Sequence, residues 1–230
     1  MRLSHGDSKM VSFDQLSKTG MSPINAIAAA MAYAASFAAT YHKDQTRKSG
    51  GSYICHPLDV MTALAEQIRR ANDLSSAPEE NLYILLIAAL HDILEDTKCT
   101  HFALAGQFGY AVADAVKELT DDKDLPKDVR KALCIEHASG LSRMAALVKV
   151  ADVCDNCKGI LGKVAPDGWG EERIAAYGKW SCQVDEGAYS ALDNPEDSHR
   201  TAVDQSYAQG LIKDSPLEID GDGKVSVRVI

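Results

Sequence analysis

From Asn81 to Glu95 the chain runs Asn-Leu-Tyr-Ile-Leu-Leu-Ile-Ala-Ala-Leu-His-Asp-Ile-Leu-Glu, a strongly apolar stretch of helical length. A helix this apolar has little to offer water, so it predicts a central element wrapped by others. The stretch closes on polar groups: His91, Asp92, Glu95 and Asp96. Such groups at the end of a buried helix are costly unless something pairs with them. If the helix persists, Glu95 lies four residues after His91 and Asp96 four after Asp92, so all four side chains project to one side. Three carboxylates and an imidazole crowded there repel one another unless a cation sits between them. A divalent metal with nitrogen and oxygen ligands meets that need.

The rest of the chain reads as helices around this one. Ser22-Pro23 caps a first helix with a buried face at Ile24, Ile27, Met31, Ala35 and Ala38. Arg47 to Tyr53 is a loop with a flexible Ser-Gly-Gly-Ser centre, and Pro57 opens a second helix reaching about Ala71. After the apolar helix, one helix is expected from Thr100 through Val116, then others over about 127–138, 141–161 and 171–192, with a last one starting at Pro195. The tail alternates apolar and polar residues on either side of Asp220-Gly221-Asp222-Gly223, which predicts a short β-hairpin rather than a calcium loop. The expected fold is all-α: a polar N-terminal extension over 1–21, a helical bundle over 22–212, and a 213–230 tail with a possible β-hairpin. With only 6% aromatic residues, its core must be built from Ala, Leu, Ile and Val.

Ligands beyond His91 and Asp92 must come from elsewhere in the chain. His56 stands at a helix start after a flexible loop, and Asp152 directly follows the apolar run Leu147-Val148-Lys149-Val150-Ala151. Together His56, His91, Asp92 and Asp152 make a four-ligand site for one divalent metal with positions open for water and substrate. Glu95 and Asp96 then fall beyond the ligands, where they can orient the water or move a proton. His42 reads as a packing residue or a support behind the ligands, not as a ligand. Six scattered cysteines, several inside apolar helical runs, suit a reducing cytosol better than a disulfide framework, and the lone Cys154-x-x-Cys157 lacks a second pair to complete a zinc site.

The ordered set His56, His91-Asp92 and Asp152 resembles the HD-domain metal-dependent phosphohydrolases. More narrowly, the chain is similar to the RelA/SpoT-type alarmone hydrolases in their small stand-alone form. The matching segments are Tyr41-His42 through Arg47-Lys48, Tyr53-Ile54-Cys55-His56-Pro57, His91 through Thr97, Leu119 through Lys127, Lys149-Val150-Ala151-Asp152 with Asn156, and Gly168-Trp169 with Arg173, Tyr177 and Trp180. An HD-domain helical bundle is the fold this implies. The activity it implies is manganese-dependent (Mn2+) hydrolysis of (p)ppGpp, releasing pyrophosphate from the 3′ position and leaving GDP or GTP. By the same resemblance His56, His91, Asp92 and Asp152 hold the metal, Glu95 and Asp96 serve catalysis, and Arg47, Lys48, Asn156, Arg173 and Tyr177 contact the nucleotide or its phosphates.

One departure lies beside the site. After Asp152 the chain reads Val153-Cys154-Asp155-Asn156, where the family has a basic residue followed by large hydrophobic or aromatic ones. The acid at 155 leaves a (p)ppApp-type nucleotide or the 2′-phosphate of NADPH open as substrate, and a non-catalytic alarmone-binding protein is the further alternative.

Net charge separates the partner classes. At −9 the chain is unsuited to nucleic acid or to an anionic membrane. No apolar run of 18 residues suggests a membrane span and residues 1–20 lack the apolar core of a secretory signal, so a cytoplasmic protein acting on a small-molecule nucleotide is expected. The acid is unevenly placed: residues 185–230 hold ten acids against four bases, leaving −3 for the first 184 residues, four of whose acids are candidate site groups. The total therefore does not exclude a pyrophosphorylated substrate. No motif in the chain specifies an oligomeric state.

Overall fold

The computed structural model describes residues 22–47, 50–71, 77–161, 166–193, 198–222 and 224–228. In chain order these form α1 (Pro23–Tyr41), α2 (Cys55–Arg70), α3 (Pro78–Leu90), α4 (Ile93–Asp96), α5 (His101–Phe108), α6 (Tyr110–Leu119), α7 (Lys127–Ala138), α8 (Arg143–Ile160), α9 (Glu171–Ser190) and α10 (Ser198–Lys213), then β1 (Leu217–Ile219) and β2 (Val225–Val227). The polar extension expected over 1–21 lies outside the described residues, as do Lys48 and Pro195.

The apolar stretch is the central helix. In α3 every residue from Ile84 to Leu90 is buried, and α1, α2, α6 and α8 pack around it. Around that axis the core is mostly Ala, Leu, Ile and Val, with one aromatic patch where Phe108 lies 5.5 Å from Tyr33 and 5.2 Å from Phe37. Ser22 caps α1 by accepting from Asn25 N at 3.3 Å. Over Ile24–Tyr41 this helix is long and apolar enough to cross a membrane, with a mean hydropathy of 1.2. Its Ala26, Ile27, Ala30, Ala34 and Ala38 are nonetheless buried in the core, which accounts for the composition.

Two expected helices are each broken in two. The apolar helix stops at Leu90, with His91 and Asp92 between α3 and α4. His91 Nδ1 lies 2.8 Å from Ala88 O, so the ring takes up a carbonyl of the last turn, where an uninterrupted helix would use only backbone donors. Gly109 divides the helix expected from Thr100 to Val116 into α5 and α6, at φ +84 and ψ 161, a conformation that is essentially glycine's alone. The tail forms the expected antiparallel hairpin, with Leu217 opposite Val227 and Ile219 opposite Val225. It is not a free appendage, because β2 packs on α9 and β1 on α10.

The loop before α2 is tighter than its composition suggests. Thr46 and Ser52 form an antiparallel bridge, Arg47 N donates to Gly51 O at 3.1 Å, and Gly50 and Gly51 both sit at positive φ. Arg47 is thereby set at the mouth of the bundle, facing α8.

Candidate metal centre and active-site cavity

Four elements converge at that mouth. His56 comes from the first turn of α2, His91 and Asp92 from the α3–α4 break, and Asp152 from the middle of α8, which packs against both α2 and α3. One ligand atom from each of His56, His91 and Asp152 falls within 4.8 Å of the others. Asp92 closes the set, its Oδ2 3.6 Å from His56 Nε2 and 3.1 Å from His91 Nε2. Asp152 Oδ1 lies 3.0 and 3.6 Å from the same two nitrogens.

Both imidazoles are fixed in orientation. Each turns Nδ1 outward to an acceptor, His91 to Ala88 O and His56 to Asp155 Oδ2, both at 2.8 Å. Each turns Nε2 inward toward the carboxylates, and among the described residues none gives the buried His91 Nε2 a hydrogen bond of proper geometry. Groups this close balance their charges through shared protons or through a cation. Burial lowers the His56 pKa, but its hydrogen bonds to Asp152 and Asp155 outweigh that and lift it to about 9. Burial likewise raises the Asp92 pKa, yet the His91 charge overrides it and holds the carboxyl below its usual range. Two imidazoles and two carboxylates that must share protons to coexist are a donor set a divalent cation satisfies directly.

Neighbours hold the carboxylates. Asn156 Nδ2 donates to Asp152 Oδ1 at 2.7 Å, and Lys149 Nζ lies 3.7 Å from Asp152 Oδ2. The Tyr53 hydroxyl lies between Asp92 Oδ2 at 2.6 Å and Asp96 Oδ2 at 2.9 Å, donating to one at a time. Gln45 Nε2 donates to Asp96 O at 2.6 Å, while its Oε1 meets His42 Nδ1 at 2.7 Å. His42 is fully buried and meets Asp96 through Gln45, so it stands behind the carboxylates.

A cavity of about 750 Å³ opens over this cluster, within the size range of small-molecule sites. Glu95 and Asp96 form part of its wall beside the ligands. Burial raises the Glu95 pKa, partly countered by the hydrogen bond from Asp121 N at 3.0 Å. Lys123 pairs with Asp96 and reaches Glu95 Oε1 at 3.6 Å. Interspersed with the carboxylates, the cations Arg47, Lys123, Lys127, Arg130, Lys131 and Lys149 also line the cavity. Trp169, Tyr177 and Trp180 add an aromatic side, with the Lys131 ammonium 5.3 Å from the Tyr177 ring and 4.7 Å from the Trp180 ring.

Of the residues singled out in the sequence, His56, Asp92, Glu95, Asp96, Asp152, Arg47, Asn156 and Tyr177 share this cavity, and His91 sits buried behind its floor. Arg173 does not line it: the side chain is exposed, with its guanidinium 4.1 Å from the Trp169 ring centre. Arg130 and Lys131 went unmarked in the sequence, and Gln45, Tyr53 and Lys127 fell in matching segments without being given a role. The spacing of Lys127, Arg130 and Lys131 along one helix was the available signal, but basic runs are usually solvated.

The HD domain family model matches residues 53–157. The chain is 40% identical over 162 residues to guanosine-3′,5′-bis(diphosphate) 3′-pyrophosphohydrolase MESH1 of Xenopus tropicalis, covering 70% of this chain and 85% of the relative. It has the same identity and coverage with the Homo sapiens protein of that name. A solved structure described as a metazoan ortholog of SpoT that hydrolyzes ppGpp superposes with a TM-score of 0.63 at 29% identity, over 80% of this chain and 94% of the other.

Proposed function

Because this chain belongs to the HD-domain guanosine-3′,5′-bis(diphosphate) 3′-pyrophosphohydrolases, we propose that it hydrolyses (p)ppGpp at the cavity above His56, His91, Asp92 and Asp152. The reaction releases pyrophosphate from the 3′ position and leaves GDP or GTP. The observation that carries this reading is the convergence of His56, His91 and Asp152 within 4.8 Å at the floor of a cavity lined in part by cations. The enzyme depends on a divalent metal, which we propose is manganese held by those four side chains. When bound, such a cation polarises the phosphoryl oxygen and makes a bound water acidic enough to attack.

The remaining work falls to the chain's own side chains. Arg47, with Lys48 beside it in sequence, binds the 3′-pyrophosphate, and its planar fork suits bidentate pairing with phosphate oxygens. Lys123, Lys127 and Arg130 meet the 5′-phosphates. Tyr177 and Trp169 supply a face for the base, Arg173 acts by bracing Trp169, and Asn156 orients Asp152. Asp96, kept in register by Tyr53 and Lys123, takes the proton of the attacking water. Glu95, whose burial favours its protonated form, returns a proton to the departing 3′ oxygen. As water's oxygen bonds to phosphorus, the bond from phosphorus to the 3′ oxygen breaks and the two protons balance.

Six free thiols support a reducing compartment, and we assign the protein to the cytoplasm, acting on free nucleotide rather than on nucleic acid or membrane. Product identification by chromatography tests the whole reading. The manganese-loaded protein is expected to convert ppGpp to GDP and pyrophosphate and pppGpp to GTP and pyrophosphate. Turnover confined to NADPH or to adenosine analogues, or nucleotide binding without product, would overturn it.

A further inference from the structure

We propose that Asp155 is a positioning residue of this site, fixing His56 and Arg47 through one carboxylate oxygen. Asp155 Oδ2 lies 2.8 Å from His56 Nδ1 and 2.8 Å from Arg47 Nη2. Those two nitrogens are themselves 3.4 Å apart, so both converge on the same acceptor. A guanidinium can only donate, and a carboxylate that takes its charge can only accept. Nδ1 of His56 must therefore carry a hydrogen, which makes Nε2, 3.0 Å from Asp152 Oδ1, the nitrogen that would meet a cation. Among the described residues no other acceptor reaches Nδ1, and the ring is buried. Asp155 follows Asp152 by three residues on α8, so one helix presents an inner carboxylate to Nε2 and an outer one to Nδ1 of the same ring.

The same oxygen restrains Arg47. Its second terminal nitrogen lies 3.5 Å from Asp59 Oδ2, so the guanidinium is clamped between two carboxylates while its side chain lines the cavity. Asp155 thus couples metal retention to the placement of the cation that meets the pyrophosphate. One side chain links the two groups. Carboxylates that accept from the outer nitrogen of a ligating histidine fix its tautomer and raise its basicity, and their loss weakens metal binding about 10–100-fold.

This inference rests on His56 being a metal ligand, and the experiment separates the two. Manganese affinity is measured by calorimetry on metal-stripped wild type, Asp155→Ala, Asp155→Asn, Arg47→Ala and His56→Ala, with ppGpp hydrolysis measured on each. Asp155→Ala is expected to raise the manganese Kd about 10–100-fold and to raise KM as well. Asp155→Asn, which keeps an oxygen for Nδ1–H but not the charge, should retain part of the affinity. Arg47→Ala should raise KM while leaving the manganese Kd near that of wild type. If His56→Ala loses the metal while Asp155→Ala binds it as wild type does, the positioning role is overturned. If His56→Ala binds manganese unchanged, the ligand assignment itself fails. Should Asp155→Ala not fold, an unchanged Kd in Asp155→Asn overturns the proposal alone.

Discussion

An imidazole presents a bare nitrogen to a cation only when its other nitrogen's proton is engaged elsewhere. Both histidines here meet that condition with different partners, a backbone carbonyl for His91 and a carboxylate for His56. The carbonyl on His91 was implicit in its place at the end of an apolar helix. The carboxylate on His56 lies 99 residues away in sequence, and nothing local to either residue announces it. Carboxylates divide in the same way. Asp92 and Asp152 are kept ionised by cationic neighbours, whereas burial raises the Glu95 pKa. A group with a raised pKa is the one suited to donate, and activity that needs its proton declines as pH rises through that pKa. Glu95→Gln is therefore expected to lower kcat by about 10²–10⁴, leave the manganese Kd unchanged, and erase the alkaline limb of the pH–kcat profile assigned to Glu95. A Gln variant that keeps that limb would remove Glu95 from the role.

Between elements, the α8–α9 contact carries a second buried titratable group that the chemistry does not use. Asp185 is fully buried, accepts from the Cys154 thiol at 3.8 Å, and has one oxygen without a hydrogen-bond partner among the described residues. Burial, followed by the nearby Asp152 charge, pushes its pKa well above the ordinary carboxylate range. The folded chain therefore holds this proton more tightly than the unfolded chain does. Its contribution to stability is fully present below the unfolded pKa and is lost as pH rises toward the folded one. Asp185→Asn cannot ionise, so the stability difference between variant and wild type should move in the variant's favour from about pH 4 upward. Thermal melts of both proteins across that range check this, and parallel curves would show that Asp185 does not titrate on unfolding. Helix lengths were readable from periodicity, but the breaks at His91–Asp92 and at Gly109 were not. The first depends on a side chain capturing a carbonyl. The second depends on one glycine's φ, which an apolar period running across it conceals.

For the molecule as a whole, the proposed metal centre joins α2, α8 and the α3–α4 break, so its occupancy and stability should be linked. A cation bound only by the folded state adds about 2.7 kcal/mol at a hundredfold excess over its Kd. Manganese should accordingly raise the melting temperature of the metal-stripped protein by several degrees. The rise should grow with the logarithm of free manganese and vanish in Asp92→Ala. A shift of equal size in that variant would place the stabilising cation elsewhere. At this scale the sequence alone determined the all-α architecture, the central apolar helix, the terminal hairpin and the ordered series His56, His91, Asp92 and Asp152. Each follows from periodicity, from the cost of burying polar groups, or from a motif in which residue type and order are both visible. Only the tertiary structure decided that Arg173 lies outside the cavity, that Tyr53 bridges Asp92 and Asp96, that the α7 cations face the site, and that Asp155 meets both His56 and Arg47. Those are contacts between residues distant in the chain, set by how helices pack, and local spacing carries no record of which faces will meet.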